Sequence, residues 1–376
     1  MRSTLVFLLI AVFAGSASAE DKVKFFGDAR VGFFSNDRDD RDGSQDTTDE
    51  FRLRIRGGVK IRLSERIRFK GRLAGRYSTD DRNRPHFEFF SSIPSGDGLR
   101  RGDSTVDTLL IDYRPNKNWK IRAGRLQTSY ELQGVGKKSL DRNNSPNTDI
   151  NWVDGVEVNY NLARGWIATG LVQYNPSAGP TEVRRSPLNF RDDGSRFSYF
   201  ASFHNDLPHG RIVQRAIDFT YLPDALLEDG SVNGDIEDYW VLVARTAAKW
   251  PLTQSGTDFL LGLELGYAGN TPTEQAIRTG NSGDSGGAAG QITFNFLNIV
   301  PKHSLGIIVG AAEGGYLLSP DFRSNSDLLE ARYKWAINKK SKFEARLRRR
   351  EELDKRVGAR DKREDVDFYL RYTIKF

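Results

Sequence analysis

The chain has 376 residues and contains no cysteine, one methionine and four histidines. Without thiols, disulfides and thiolate metal centres are excluded. His86, His204, His209 and His303 are scattered at no spacing suited to a metal site, so neither a metal nor another cofactor is expected. Long apolar runs are scarce as well: after the first twenty residues none approaches the roughly 18 needed for a transmembrane helix. With 38% hydrophobic and 28% charged residues, a conventional buried core would be poorly supplied for a chain of this length.

The one apolar run near the beginning, residues 5–14 of MRSTLVFLLIAVFAGSASAE, follows Arg2 and precedes Ala17, Ser18 and Ala19. This order predicts a secretory signal peptide over residues 1–19 and a mature chain of one domain over residues 20–376. Removing Arg2 with it lowers the formal charge from +6 to +5.

What the chain has is alternation. In residues 51–76, FRLRIRGGVKIRLSERIRFKGRLAGR, one parity carries Phe51, Leu53, Ile55, Val59, Ile61 and Leu63. The other carries Arg52, Arg54, Arg56, Lys60 and Arg62. After Ser64 and Glu65 the pattern restarts, with Ile67, Phe69 and Leu73 opposed by Arg66, Arg68, Lys70, Arg72 and Arg76. Successive strand residues point to opposite faces, so this reads as a hairpin with one apolar and one cationic face. A helical period would smear the arginines around the circumference. A soluble sheet could bury the apolar face, and a membrane barrel could turn it to lipid. The remainder of the chain decides between them.

Strand-like segments recur in pairs joined by short turns, and the pairs are separated by long polar loops at 36–50, 78–103, 127–148, 176–195, 223–237, 269–287 and 351–364. The count is about sixteen strands with both termini on the short-turn side. Tyr77, Tyr113, Trp119, Tyr160, Trp166, Tyr174, Tyr221, Trp250, Tyr267 and Trp335 stand near strand ends as two aromatic girdles. The expected fold is all-β, a transmembrane antiparallel β-barrel with short periplasmic turns and long extracellular loops. Two places fit less well: LGIIVGAAEGG at 305–315 does not alternate cleanly, and Arg349 takes the apolar parity, which predicts a position at a rim.

The last strand carries Val366, Phe368, Leu370, Tyr372, Ile374 and Phe376 on one parity and stops on that phenylalanine. It resembles the C-terminal strand of Gram-negative outer-membrane proteins, and the resemblance implies recognition by the barrel assembly machinery through Phe376. The segments IRAGRLQ, LDRNNSPN and WVDGVEVNY in residues 121–160 are similar to porin families that include the phosphate-selective porins and the alginate-export channels. The resemblance implies an outer-membrane porin, a homotrimer, with an arginine ladder matched here by Arg52, Arg54, Arg56, Arg68 and Arg72. Gly57, Gly71 and Gly75 on the lipid parity would permit close packing between copies.

Turning the arginines of the second strand into lipid would cost on the order of 10 kcal/mol, so they are expected to face a water-filled lumen. The expected pore-lining residues are Arg52, Arg54, Arg56, Lys60, Arg62, Arg68, Lys70, Arg72, Arg122, Arg346 and Arg348. Such a wall attracts anions and offers forks that match phosphate or carboxylate. Acids across the pore could instead compensate it; Asp28, Glu330, Glu344 and Asp367 have the right parity. The loop at 127–148 is the one general porins fold inward, and there Lys137, Lys138 and Arg142 would sit at a constriction facing the wall.

These features predict passive, anion-preferring diffusion of small hydrophilic solutes across the outer membrane, with lipopolysaccharide and outer-membrane lipid as surroundings. The alternatives are export of an anionic polysaccharide or a barrel enzyme. No catalysis is expected: Gly283, Asp284, Ser285, Gly286 and Gly287 spell a protease-like motif in a loop without a histidine partner or a strand-to-helix turn. The acidic stretch 36–50 resembles a calcium loop only superficially, because Arg38 stands at the first ligand position, yet it could hold divalent ions shared with lipopolysaccharide. Export makes nucleic-acid binding improbable.

Overall fold

In a computed structural model the described residues are 22–79, 86–87, 103–143, 152–175, 186–190, 197–231, 234–254 and 256–376. The expected leader over residues 1–19 lies outside them. Sixteen antiparallel strands close on themselves: β1 (Val23–Asp39), β2 (Gln45–Arg62), β3 (Ile67–Ser78), β4 (Asp103–Tyr113), β5 (Trp119–Leu126), β6 (Val153–Asn161), β7 (Ile167–Tyr174) and β8 (Phe197–Asn205) form one half. The other half is β9 (Ile212–Leu227), β10 (Ile236–Pro251), β11 (Asp258–Gly269), β12 (Ala288–Val300), β13 (His303–Ala312), β14 (Ser326–Trp335), β15 (Ser341–Glu351) and β16 (Glu364–Lys375). Each strand pairs with the next, and β1 pairs with β16. A two-residue segment, His86–Phe87, adds in parallel to the start of β4.

Closure removes every sheet edge, which is what allows strands to cross hydrocarbon with all backbone groups paired. The seam is tied at its end by reciprocal backbone bonds, Gly27 N to Phe376 O at 3.0 Å and Phe376 N to Gly27 O at 3.1 Å. The expected alternation holds outward: Phe51, Ile55, Tyr77, Ile217 and Leu265 are exposed, while Arg54, Arg56, Arg72 and Arg76 on the other parity are buried. Aromatic pairs ring both rims. Trp119–Tyr160 (4.6 Å), Trp166–Phe203 (4.2 Å) and Trp250–Phe259 (5.8 Å) mark the short-turn rim, and Tyr174–Phe197 (5.9 Å) and Trp240–Tyr267 (6.0 Å) the other.

The wall is uneven. β1 and β2 run for 17 and 18 residues and β9 and β10 for 16 each, whereas β5 and β7 have only 8. The height of β1 and β2 revises the sequence reading: most of the expected acidic loop 36–50 is strand. The chain turns only at 40–44, where Gly43 takes φ 83°. Cross-strand pairs such as Thr47 Oγ1 to Asp37 (2.8 Å) and Arg38 to Asp46 (3.0 Å) hold the extension together. Arg38 also pairs with Asp40, and among the described residues no group of acids or histidines is arranged for a metal. Arg349 does stand at the long-loop rim, half exposed between Glu351 and Glu364 at 2.6 Å each.

Candidate functional site: the lumen wall and its inward loops

The inward positions of β2 and β3 carry nine cations, and the register stacks them: Arg30, Arg54 and Arg76 are direct neighbours across β1–β3, as are Lys24, Lys60 and Lys70. Like charges directly opposite destabilise a sheet, so carboxylates and aromatic rings are interleaved. Asp28 accepts from Arg54 at 3.2 Å and Arg56 at 2.7 Å. Glu50 pairs with Arg52. Asp107 takes both forks of Arg72 at 2.8 Å and lies 3.8 Å from Arg56.

Strict alternation from Leu109 and Ile111 would have placed Asp107 on the outer face. The register slips by one residue opposite Arg72 and Leu73, and this bulge brings Asp107 inside; re-aiming a side chain in this way is what a bulge does. The sequence reading had no signal for it. It also passed over the lumen-parity aromatics Phe26 and Phe34. Lys60 and Lys70 stand 4.6 and 5.1 Å over the Phe26 ring, and Arg52 stands 4.5 Å over Phe34.

Of the four carboxylates whose parity suggested them as partners, only Asp28 meets the β2 arginines. Glu330 binds Arg332 at 2.6 Å, Glu344 binds Arg371 at 2.8 Å and Lys342 at 2.7 Å, and Asp367 serves Arg346 together with Arg348 at 2.6 Å. On the same quadrant the buried Tyr369 ring is flanked by Arg346 at 4.3 Å and Arg371 at 5.0 Å. Arg122 donates to Glu157 at 2.8 Å. Lys60, Arg62 and Arg68, by contrast, are exposed toward the short-turn rim.

Among the described residues, 127–143 and 313–325 fold into the barrel. Residues 127–143 thread across the lumen, held by their own backbone: Gln133 N to Gln214 (2.8 Å), Val135 N to Asn295 (2.8 Å), Ser139 N to Asp321 (2.9 Å) and Leu140 N to Glu264 (3.1 Å). Residues 313–325, which the sequence reading did not single out, fold in beside them. Tyr316 donates to Leu140 O at 2.9 Å and Ser319 to Ser139 O at 2.8 Å. Leu140, Tyr316, Leu317, Leu318 and Phe322 pack on Tyr239, Val241, Val243, Ile308 and Leu328 in one buried apolar cluster.

The loop cations therefore do not stand free over the β2–β3 arginines, as expected from sequence. Lys138 is buried on Glu330 at 3.0 Å and Asp321 at 3.7 Å. Burial pushes its ammonium down to about 8 against the pull of those two acids. Arg142 lies 4.6 Å over Phe200 and donates to Gln173 at 2.9 Å. Lys137, in left-handed backbone at φ 49°, is largely exposed and 3.6 Å from Glu131. Burial raises the neighbouring Glu131 and Asp141 carboxyls. The Ser285 hydroxyl of the protease-like motif is spent on Pro272 O at 2.6 Å.

A closed sixteen-stranded antiparallel barrel with an apolar outside, a charged inside and loops folded into the lumen is the fold of the porins. The chain is similar over its whole length to Pseudomonas putida OprB in its high-pH structure, with 12% identity, 96% of that chain covered and a TM-score of 0.60. It is similar also to Pseudomonas aeruginosa OpdL (12% identity, 96% of this chain and 100% of that one, TM-score 0.54) and to a mutant of the Rh. blastica porin (12%, 94% and 100%, 0.51). No family model matches the chain, and no curated protein matches its sequence.

Proposed function

We propose that the chain is a Gram-negative outer-membrane channel for passive diffusion of small hydrophilic solutes, with a preference for anions. The observation that carries this is the charge of the β2–β3 wall: nine inward cations face four carboxylates, Glu50, Asp28, Asp107 and, opposite Arg68, Asp112. In a lumen walled by low-dielectric protein such a surplus raises the local concentration of anions. Arg52, Arg54, Arg56, Lys60, Arg62, Arg68, Lys70 and Arg72 then act as lining groups, with Arg122 two strands away on one flank, Arg346 and Arg348 three strands away on the other, and residues 127–143 as the constriction. Residues 127–143 and 313–325, folded into the lumen, narrow it and so disfavour a polysaccharide chain. Gly57, whose added Cβ would meet nothing within 4 Å, leaves a flat place on the outer face that suits packing of one copy on another in a trimer. The aromatic carboxyl-terminal strand suits handling by the barrel assembly machinery, and the long-loop rim suits a lipopolysaccharide leaflet.

The test is the reversal potential of the purified protein in a planar bilayer under a salt gradient. Anion selectivity is expected, falling severalfold when Arg54, Arg56 and Arg68 are each changed to glutamine. Cation selectivity, or an unchanged reversal potential in the triple variant, would sink the anion preference and leave an unselective channel.

A further inference from the structure

At the short-turn rim one cation, Arg215, lies on the outer rather than the inner face, and a second, Arg211, stands in the turn before β9. In β9 Gln214, Ala216, Asp218 and Thr220 are buried, and Ile217 and Phe219 on the opposite parity are exposed. Arg215 shares the parity of Ile217 and so points outward. Its guanidinium lies 5.3 Å over the Trp166 ring, which is stacked on Phe203 at 4.2 Å and 5°. In the turn before β9 Arg211 lies 6.0 Å over Trp250. Neither guanidinium has a carboxylate partner among the described residues, and the buried Arg215 Nε has no hydrogen-bond partner.

An arginine on the lipid side is tolerated near the headgroups and costly at the midplane, which sets the level of Arg215 beside the tryptophans that mark the interface. The indole covers one face of the guanidinium. Its Nη groups have no carboxylate partner among the described residues, and the guanidinium fork is the part that matches a phosphate bidentately. Phe203, Ile217 and Leu207, exposed by 43%, 56% and 56%, continue from it as an apolar shelf. We infer that β7–β10 hold an anionic phospholipid at this rim, its phosphodiester on Arg215 and Arg211 and its glycerol and upper acyl chain along Trp166 and Phe203. The inference rests on the reading of this chain as a membrane channel with its short turns at the periplasm. The conductance measurement tests that reading separately, so the two can fail independently.

The experiment is native mass spectrometry of the full chain released from micelles of equimolar phosphatidylglycerol and phosphatidylethanolamine. About fivefold enrichment of bound phosphatidylglycerol is expected, the order that juxtamembrane arginines confer. It should vanish in the Arg211→Gln, Arg215→Gln double variant and persist in Arg360→Gln, which removes an exposed cation from the opposite rim. Should the double variant fail to show the heat-modifiable mobility of a folded barrel, Arg215→Lys serves instead: it keeps the charge, loses the fork and should lower the enrichment. Equal binding of both lipids, enrichment unchanged in the rim variants, equal loss in Arg360→Gln, or phosphate binding in lipid-free detergent without discrimination between lipids would each overturn the assignment.

Discussion

Lys138 is the side chain whose charge the lumen controls most directly. It is buried between Glu330 and Asp321, and desolvation brings its ammonium to about 8 from an ordinary 10.5. Because the folded value lies below the unfolded one, the folded chain holds fewer protons between about 8 and 10.5, and this group makes stability rise with pH across that window. The consequence for conduction has the opposite direction. As pH passes about 8 Lys138 loses its positive charge, so the anion-to-cation permeability ratio should fall between pH 7 and 9. Reversal potentials across that range check this, and Lys138→Met should diminish the step.

At the scale of elements, the inward loop 127–143 is seated by close approach of backbone to wall. Gly136 packs so near β13 that an added Cβ would meet Ile308 Cδ1 at 2.1 Å, and its carbonyl accepts from Arg332 at 2.8 Å. Gly136→Val cannot keep both contacts; the loop should lift from the β13–β14 wall, and single-channel conductance should rise by a factor of two or so while the barrel remains folded. An unchanged conductance would show that residues 127–143 do not set the width of the path. The same packing explains why LGIIVGAAEGG failed to alternate. Ile308 faces inward against Leu140 and Tyr316, so on β13, and on β10 with Val241 and Val243, the lumen side is as apolar as the lipid side. Period-2 patterning reports a difference between two faces and is silent where both are dry.

For the whole molecule, the seam between β1 and β16 is the last contact that closes the barrel, joining residues nearly the full chain apart. Gly27 lies under the Phe376 ring, where an added Cβ would come within 2.4 Å of the ring and 2.5 Å of Arg56 O. Gly27→Val should therefore cost about 1–3 kcal/mol as an overpacked site, read as a lower temperature for loss of heat-modifiable mobility. A variant as stable as the parent would mean that the seam relaxes freely. The uneven wall is a property at this scale too: strands of 8 and 18 residues cannot be told apart by alternation once their polar extensions continue the same period.

By itself the sequence determined the strands, their parity and the side on which the arginines lie, because a residue's facing follows from its neighbours one and two places away. That suffices for Arg52 to Arg76 against Phe51 to Leu73, and for an aromatic last strand. Only the tertiary structure decided which charges meet. Asp107 reaches Arg72 through a bulge, Asp28 rather than Glu330 or Asp367 reaches Arg54 and Arg56, and residues 313–325 join 127–143 inside the barrel. Those contacts depend on strand register and on loops crossing a lumen, and they join residues from 26 to 176 positions apart, where no local period carries information.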